Sequence, residues 1–491
     1  MEEKIRIKPT ADEKSETGDW EGKKVLVIGT GISGAGAVKL LCAAGACPVW
    51  YDENGEVSAE DIAKKLPEGI SVRIITGALP GDVEEETEMV VPSPGVPVDT
   101  EFVERFRRRG IPILGEIELG YLFSKGRLAA VTGTNGKTTT TSLVGQIMEE
   151  YYGDVFVVGN IGKPYTESAL KTGEDSVTVA EISSFQLETT DRFKPRVSAI
   201  LNITPDHLNR HHTMENYVAV KERIAARQTK GDVCVLNYED EYTRGFGKRC
   251  PAKAVYFSSK RKLEEGLYLD GEEIWMAQDG HAERLMNIHE MKLVGMCNVE
   301  NVMAAIAIAV HMQVPMENIL DTVRRFRAVE HRIEFVATKG GVDYYNDSKG
   351  TNPDAAVQGI RAMSKPTVLI GGGYDKGSTF DTWIEAFDGK VKYLVLIGQT
   401  ADQIEACAKA HGMDGKRILR AEGFEEALRM CTEHAQAGDA VLLSPACASW
   451  GMFPNYEVRG QMFKDYVNRL PDEGPDGSGR TETGKKHKEG V

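Results

Sequence analysis

The sequence predicts an α/β protein of three domains, and three observations carry that prediction. At 491 residues the chain is too long for one hydrophobic core. Apolar runs of strand length stand ahead of Gly-rich turns and helix-like patterns at residues 24–41, 128–148 and 367–373, once in each third of the chain. A composition of 41% hydrophobic and 27% charged residues supplies enough apolar surface to bury without wholesale disorder.

Charge and cysteine usage narrow the class further. The 74 acidic residues outweigh the 59 basic ones, for a net charge of −15, which argues against a broad nucleic-acid or anionic-membrane surface. Eight cysteines lie scattered with no CxxC pair, the pattern of buried thiols in a reducing compartment. The amino terminus is charged and lacks an apolar leader core, and no apolar run reaches the roughly 18 residues of a membrane span. The expected location is the cytoplasm, with neither membrane nor nucleic acid as partner.

Structure is expected to begin with the buried strand 24–29. Gly29-Thr30-Gly31-Ile32-Ser33-Gly34 then opens a helix, and the strand 49–52 ends in Asp52, which matches the dinucleotide fingerprint in form. Taken alone this motif fits a nicotinamide dehydrogenase, another nucleotide, or mere close packing of a strand–helix turn. The strand at Val90-Val91 stops at a rigid turn, Pro92-Ser93-Pro94-Gly95.

The central third holds Gly133-Thr134-Asn135-Gly136-Lys137-Thr138-Thr139 between a strand and a helix. Glycines let backbone N–H groups approach oxyanions, Lys137 meets terminal phosphates, and the Thr138 hydroxyl can take Mg²⁺, so ATP or a relative is expected there. General phosphate loops carry a Gly where this chain has Val131. Asn160 follows the strand 155–158 at a carboxyl end, where ligands of open sheets collect. Glu181 closes a β-branched strand, a costly place for a carboxylate without a cation, and Ser183 and Gln186 follow it. His207 follows the strand 198–204, and Lys221 shares a helix with Tyr217. Glu181, His207 and Lys221 can therefore converge on the γ-phosphate; the alternatives are an ion-pair partner, a structural imidazole and a solvated ammonium. Asn298 reads as the N-cap of a helix over 302–310. Residues 247–279 read as a sheet extension.

In the last third Arg332 is a planar donor suited to phosphate, or else a surface ion pair. Asp347, Lys349 and Thr351 pack acid, amine and hydroxyl into one turn ahead of a helix. Strands at 367–370, 393–397 and 440–443 build another doubly wound sheet. The last leads to Ser444-Pro445-Ala446-Cys447-Ala448-Ser449 and then Tyr456; no base is spaced to activate Cys447, so it reads as a buried thiol. The expected layout is an N-terminal Rossmann-like nucleotide domain at 19–126, a central P-loop ATPase-like α/β domain at 127–327, and a C-terminal Rossmann-like α/β domain at 328–470. Polar, disordered tails at 1–18 and 471–491 complete it.

The Gly133 to Thr138 turn resembles the ATP loop of the Mur ligases and folylpolyglutamate synthetases. With Ser93-Pro94-Gly95, Glu181, His207, Lys221 and the runs around Asp347 and Ser449, the resemblance to the Mur ligases spans about 24–470 in family order. It implies an ATP-dependent ligase of cell-wall precursor synthesis, joining an amino acid to a UDP-sugar carboxylate through an acyl phosphate. UDP-N-acetylmuramoyl-L-alanine and D-glutamate are the implied substrates, and the enzyme is expected to be a monomer.

Residue by residue, the resemblance assigns ATP to Gly133, Thr134, Asn135, Gly136, Lys137, Thr138, Thr139, Asn298, Arg332 and Asp347. It assigns the UDP-sugar to Gly31, Ile32, Ser33, Ser93, Pro94, Gly95, Asn160, Ser183 and Gln186, and D-glutamate to Thr351, Lys376, Ser449 and Tyr456. Two Mg²⁺ ions would be held by Thr138, Glu181, His207 and Lys221, the last as a carbamate; Lys137, Glu181, His207, Lys221 and Lys349 would serve catalysis. A folylpolyglutamate synthetase-type ligase, another Mur ligase, a non-catalytic nucleotide-binding regulator and a nicotinamide oxidoreductase are the rival readings.

Overall fold

The computed structural model describes residues 20–374 and 377–472. The expectations for the tail at 1–18, for the tail at 471–491 beyond Asp472, and for Lys376 lie outside the described residues. At the carboxyl-terminal boundary Asp472 accepts from Lys339 Nζ at 2.6 Å.

Among the described residues three sheets are present, distributed over two compact units. One unit extends to Lys292 and resumes over Asn298–Phe326; the other comprises Leu293–Cys297 and the chain from Arg327.

The first sheet has the order β3 (Arg73–Thr76), β2 (Cys47–Asp52), β1 (Lys24–Ile28), β4 (Met89–Pro92), with every neighbouring pair parallel. Val25, Leu26, Val27 and Ile28 are all buried, as the central strand of a sheet covered on both faces requires. The helix Ile32–Ala43 packs so closely that a Cβ on Gly34 would lie 2.1 Å from the Gly29 carbonyl. That contact explains the last glycine of the turn.

In the same unit the second sheet runs through seven parallel strands, β6 (Val155–Gly159), β7 (Val177–Glu181), β5 (Arg127–Thr132), β8 (Val197–Ile200), β9 (Val233–Asn237), β10 (Lys253–Ser258) and β11 (Gly266–Asp270). Antiparallel β12 (Glu273–Gln278) and β13 (His281–Asn287) extend it; β12 falls within the expected sheet extension at 247–279, and β13 lies beyond it.

The helix Glu116–Phe123 joins the two sheets, adding Leu119 to the first core and Ile117 and Tyr121 to the second. Two buried carboxylates anchor it. Glu118 accepts from the backbone N–H groups of Asp191, Arg192 and Phe193 at 2.7–3.1 Å. Glu116 Oε1 accepts from both the N–H and the hydroxyl of Thr166 at 2.8 Å.

The other unit is built on a sheet ordered β14 (Glu334–Lys339), β15 (Val342–Asn346), β19 (Ala440–Leu443), β16 (Thr367–Gly373), β17 (Val391–Gly398), β18 (Ile418–Arg420). Only the β14–β15 pair is antiparallel. Its faces bury separate apolar clusters, one around Leu369, Trp383 and Leu394, the other around Ile370, Val395 and Phe463.

Candidate active site

The order of the second sheet sets β5 between β7 and β8, pairing Val131 with Glu181 and Thr132 with Ile200. The turn after β5 therefore emerges beside Glu181 and the segment that leads to His207. This is the carboxyl edge of a parallel sheet, where loops rather than strands present side chains.

The turn is pinned from several sides. Asn135 N–H donates to Asn202 Oδ1 at 2.8 Å, and Asn202 Nδ2 returns a bond to the Asn135 carbonyl at 3.1 Å. The Thr134 hydroxyl meets Tyr217 Oη at 3.1 Å and accepts from the Thr204 N–H at 3.0 Å. Gly136 takes φ 84° ahead of the helix Lys137–Tyr152, a conformation that aims successive N–H groups into one concavity. Lys137 Nζ lies over this turn, donating to the Gly133 and Thr134 carbonyls at 2.9 and 2.8 Å.

Lys221 is 1% exposed and donates to the same Gly133 carbonyl at 2.8 Å. Burial first, then the nearby charge of Lys137, hold its amine well below the usual lysine range, with Asp206 acting in the opposite direction. Glu181 is equally buried. Its Oε1 accepts from Asn160 Nδ2 at 2.7 Å, and its Oε2 has no hydrogen-bond partner. A buried carboxylate oxygen left open is what a cation would satisfy, so loop and carboxylate fit ATP with Mg²⁺. His207, at φ 54°, begins the short helix Leu208–His211 with its ring 4.8 Å from that of Phe185.

Asn298 differs from expectation. Gly295, at φ 92°, breaks the chain early enough for the helix to start at Met296, so Asn298 is its third residue and not its N-cap. The side chain is buried and accepts from Asn301 Nδ2 at 3.1 Å. Asn301 in turn abuts the phosphate loop, its Oδ1 2.2 Å from where a Gly136 Cβ would stand.

A groove in this unit is lined by Ser93, Pro94, Glu116, Phe185, Gln186 and Arg210, among others. Three residues expected at the UDP-sugar thus share one surface. Ser93 Oγ lies 3.4 Å from the Gly29 carbonyl, which brings the Ser-Pro-Gly turn to the turn that starts the helix at Ile32. Gly31 caps that helix, and Ile32 is 73% exposed. Asp52 does not stand open at its strand end, because Thr30 Oγ1 donates to it at 2.6 Å. Ser183 caps the helix Ser184–Leu187 in a reciprocal box with Gln186.

On the C-terminal unit Asp347 is fully buried, accepting from Ser444 Oγ at 2.7 Å and from the Ile333 N–H at 3.2 Å. Burial pushes its carboxyl up to about 6 against the pull of Arg332. Arg332 Nε is itself buried without a hydrogen-bond acceptor. Lys349 Nζ lies 5.6 Å from the Tyr456 ring. The Ser348 hydroxyl donates to the Tyr456 carbonyl at 2.8 Å, so the Lys349 turn and the start of the helix Tyr456–Arg469 are held together. Thr351 N–H donates to the Lys349 carbonyl at 2.8 Å, and Ser449 is buried. Cys447 is buried, its Sγ 3.2 Å from Thr400 Oγ1.

Several neighbours of these groups carry no motif. Arg210 Nη2 donates to the Val96 carbonyl at 2.9 Å and to Glu188 at 2.6 Å, tying the segment after His207 to the Ser-Pro-Gly turn. His211 lies 2.9 Å from Ser184 Oγ, and burial leads the causes that lower its imidazole to about 4. Arg459, wholly buried, donates to the Ser348 carbonyl at 2.7 Å.

A turn built to hold phosphates beside a buried carboxylate and a buried amine defines an ATP-dependent enzyme. Residues 23–115 match the Mur ligase MurD-like, N-terminal domain; residues 131–309 the Mur ligase middle domain; and residues 331–447 the Mur ligase, glutamate ligase domain. The UDP-N-acetylmuramoylalanine–D-glutamate ligase of Lachnoclostridium phytofermentans is 56% identical over 452 residues, 92% of this chain and 99% of that protein. The enzyme of the same name from Clostridioides difficile is 46% identical, over 92% of this chain and all of that one. A Thermotoga maritima UDP-N-acetylmuramate-alanine ligase shares the fold at TM-score 0.55 and 19% identity, covering 91% of this chain and 99% of its own. The chain belongs to the Mur ligase family.

Proposed function

We propose that this chain adds D-glutamate to UDP-N-acetylmuramoyl-L-alanine at the expense of ATP, a step of peptidoglycan precursor synthesis. The observation that carries the reading is the Gly133 to Thr138 turn with Lys137, Glu181 and Lys221 gathered on one sheet edge, in a chain 56% identical to a ligase named for that reaction.

The chemistry follows from charge. A carboxylate resists attack by an amine, so the γ-phosphoryl group of ATP is moved onto a carboxylate oxygen, giving an acyl phosphate and ADP. Lys137 and the N–H groups of the turn hold the phosphate oxygens as charge redistributes. Mg²⁺, for which Thr138, Glu181 and His207 offer oxygen and nitrogen donors, neutralises phosphate charge when bound. The amine of D-glutamate then attacks the acyl carbon, the tetrahedral adduct expels phosphate, and the amine proton passes to solvent.

Groove and glycine turn suit the UDP-sugar: Ser93, Pro94 and Gln186 line one surface, and the helix at Ile32 offers its positive end to a diphosphate. Asn298 is read as an adenine contact, and Arg332 with Asp347 as groups for ATP. Lys349, Thr351, Ser449 and Tyr456 are read as the D-glutamate side. A neutral Lys221 amine can add to CO₂, forming a C–N bond and releasing one proton; the resulting carbamate is read as an anionic ligand for a second Mg²⁺. No helix among the described residues is long and apolar enough to cross a membrane. The enzyme is proposed to act as a cytoplasmic monomer, a state that sedimentation of the full chain tests.

The reading is tested by phosphate release from ATP in the presence of both substrates. Release should require the UDP-sugar and D-glutamate together; turnover with neither, or equal rates with any amino acid, overturns it.

A further inference from the structure

The C-terminal unit carries a second group of ligating side chains, on the two short helices that follow β16 and β17. Asp381 begins the helix Asp381–Glu385, while Cys407 and His411 lie one turn apart on and just after the helix Ala401–Ala410. One ligand atom from each lies within 4.8 Å of the others. Asp381 Oδ1 stands 3.1 Å from His411 Nε2 and 3.7 Å from Cys407 Sγ. With the usual zinc bond lengths, tetrahedral geometry separates a nitrogen and an oxygen ligand by about 3.4 Å and a sulfur and an oxygen ligand by about 3.6 Å. Both spacings from Asp381, which hydrogen bonds span in the absence of an ion, are thus close to those of ligands around one ion.

We infer that Asp381, Cys407 and His411 form a Zn²⁺ site. A thiolate, an imidazole and a carboxylate are the donor set that zinc takes and that Mg²⁺ or Ca²⁺ does not. The fourth position is left to water.

Metal binding would displace the Cys407 thiol proton to solvent. The nearby basic side chains are already engaged elsewhere. The next lysine on the helix, Lys409, is engaged by Glu405 at 2.7 Å, and Arg420 by Asp402 and Glu405. Bound zinc would clamp the two helices together without involving the phosphate loop.

The test uses the full chain stripped with a chelator, with Zn²⁺ in competition against a chromophoric chelator and Co²⁺ as the spectroscopic probe. One Zn²⁺ should bind with Co²⁺ giving a thiolate-to-metal charge-transfer band, a signal that ions held by Glu181 and His207 cannot produce. Cys407→Ser should abolish the band, and Asp381→Asn and His411→Gln should each weaken Zn²⁺ binding about tenfold or more. Apo thermal midpoints matching the unsubstituted chain would show that the variants fold. No bound Zn²⁺, or a band that survives in Cys407→Ser, overturns the inference.

Discussion

Lys221 and Lys137 share one acceptor: both amines donate to the carbonyl of Gly133, at 2.8 and 2.9 Å. Two ammonium groups so close would repel, and burial decides which yields. Lys221 is sealed under the turn and its proton affinity falls, whereas Lys137 is only partly buried. One sheet edge therefore sets two lysines of different burial on one carbonyl.

A lowered proton affinity favours the unprotonated amine that the proposed reaction of Lys221 with CO₂ requires. Enzyme held in CO₂-free buffer is predicted to lose activity over time and to recover it when bicarbonate is restored, followed by phosphate release. Lys221→Arg, which keeps a charge but cannot form the carbamate, should lose about 10³-fold in kcat. Activity indifferent to CO₂ throughout would remove the carbamate from the account.

Gly136 has no room for a side chain. Its φ of 84° disfavours any L-residue, and a Cβ would fall 2.2 Å from Asn301 Oδ1. Gly136→Ala is predicted to raise the Kd for ATP by about tenfold or more while the thermal midpoint shifts by only a few degrees, since the strain of roughly 1–3 kcal/mol sits in the turn. Isothermal titration with ATP and a melting curve separate the two effects.

Arg210 lines the groove and holds the Val96 carbonyl and Glu188 at once. Arg210→Ala should raise KM for the UDP-sugar by about tenfold, a loss near 1.4 kcal/mol, and leave KM for ATP nearly unchanged. Equal effects on both constants would place Arg210 in the phosphate site instead.

Glu116 gives a pH signature. Its buried carboxyl is pushed up to about 7, while the unfolded chain retains the ordinary value of 4.5. Between these values the folded state holds a proton that the unfolded state has released, so stability falls as pH rises from 4.5 through 7 and then levels. Glu116→Gln lacks this slope. The stability of the unsubstituted protein relative to Glu116→Gln is predicted to drop by roughly 2 kcal/mol between pH 5 and pH 8, measured by urea unfolding.

Much of this was legible in the chain itself. Strand, glycine turn and helix recur because phosphate recognition needs backbone N–H groups bared at a helix start, and Gly133 to Thr138 states that need in local sequence. Glu181 could be singled out because a carboxylate ending an apolar strand requires a reason. Arg210, Asn301 and Glu116 could not, because their roles arise from residues 114, 165 and 50 positions away along the chain. Asn298 was misplaced for a simpler reason: cap chemistry favours Asn, but a left-handed glycine three residues earlier had already set the helix start.

The most direct measurement is the rate of phosphate release from MgATP with UDP-N-acetylmuramoyl-L-alanine, comparing D-glutamate, L-glutamate and no amino acid, for the unsubstituted chain and for Lys137→Ala. The account predicts release only with D-glutamate, and a fall of about 10³-fold or more in the variant. Comparable release with L-glutamate or without an amino acid, or a Lys137→Ala enzyme as fast as its parent, would contradict it.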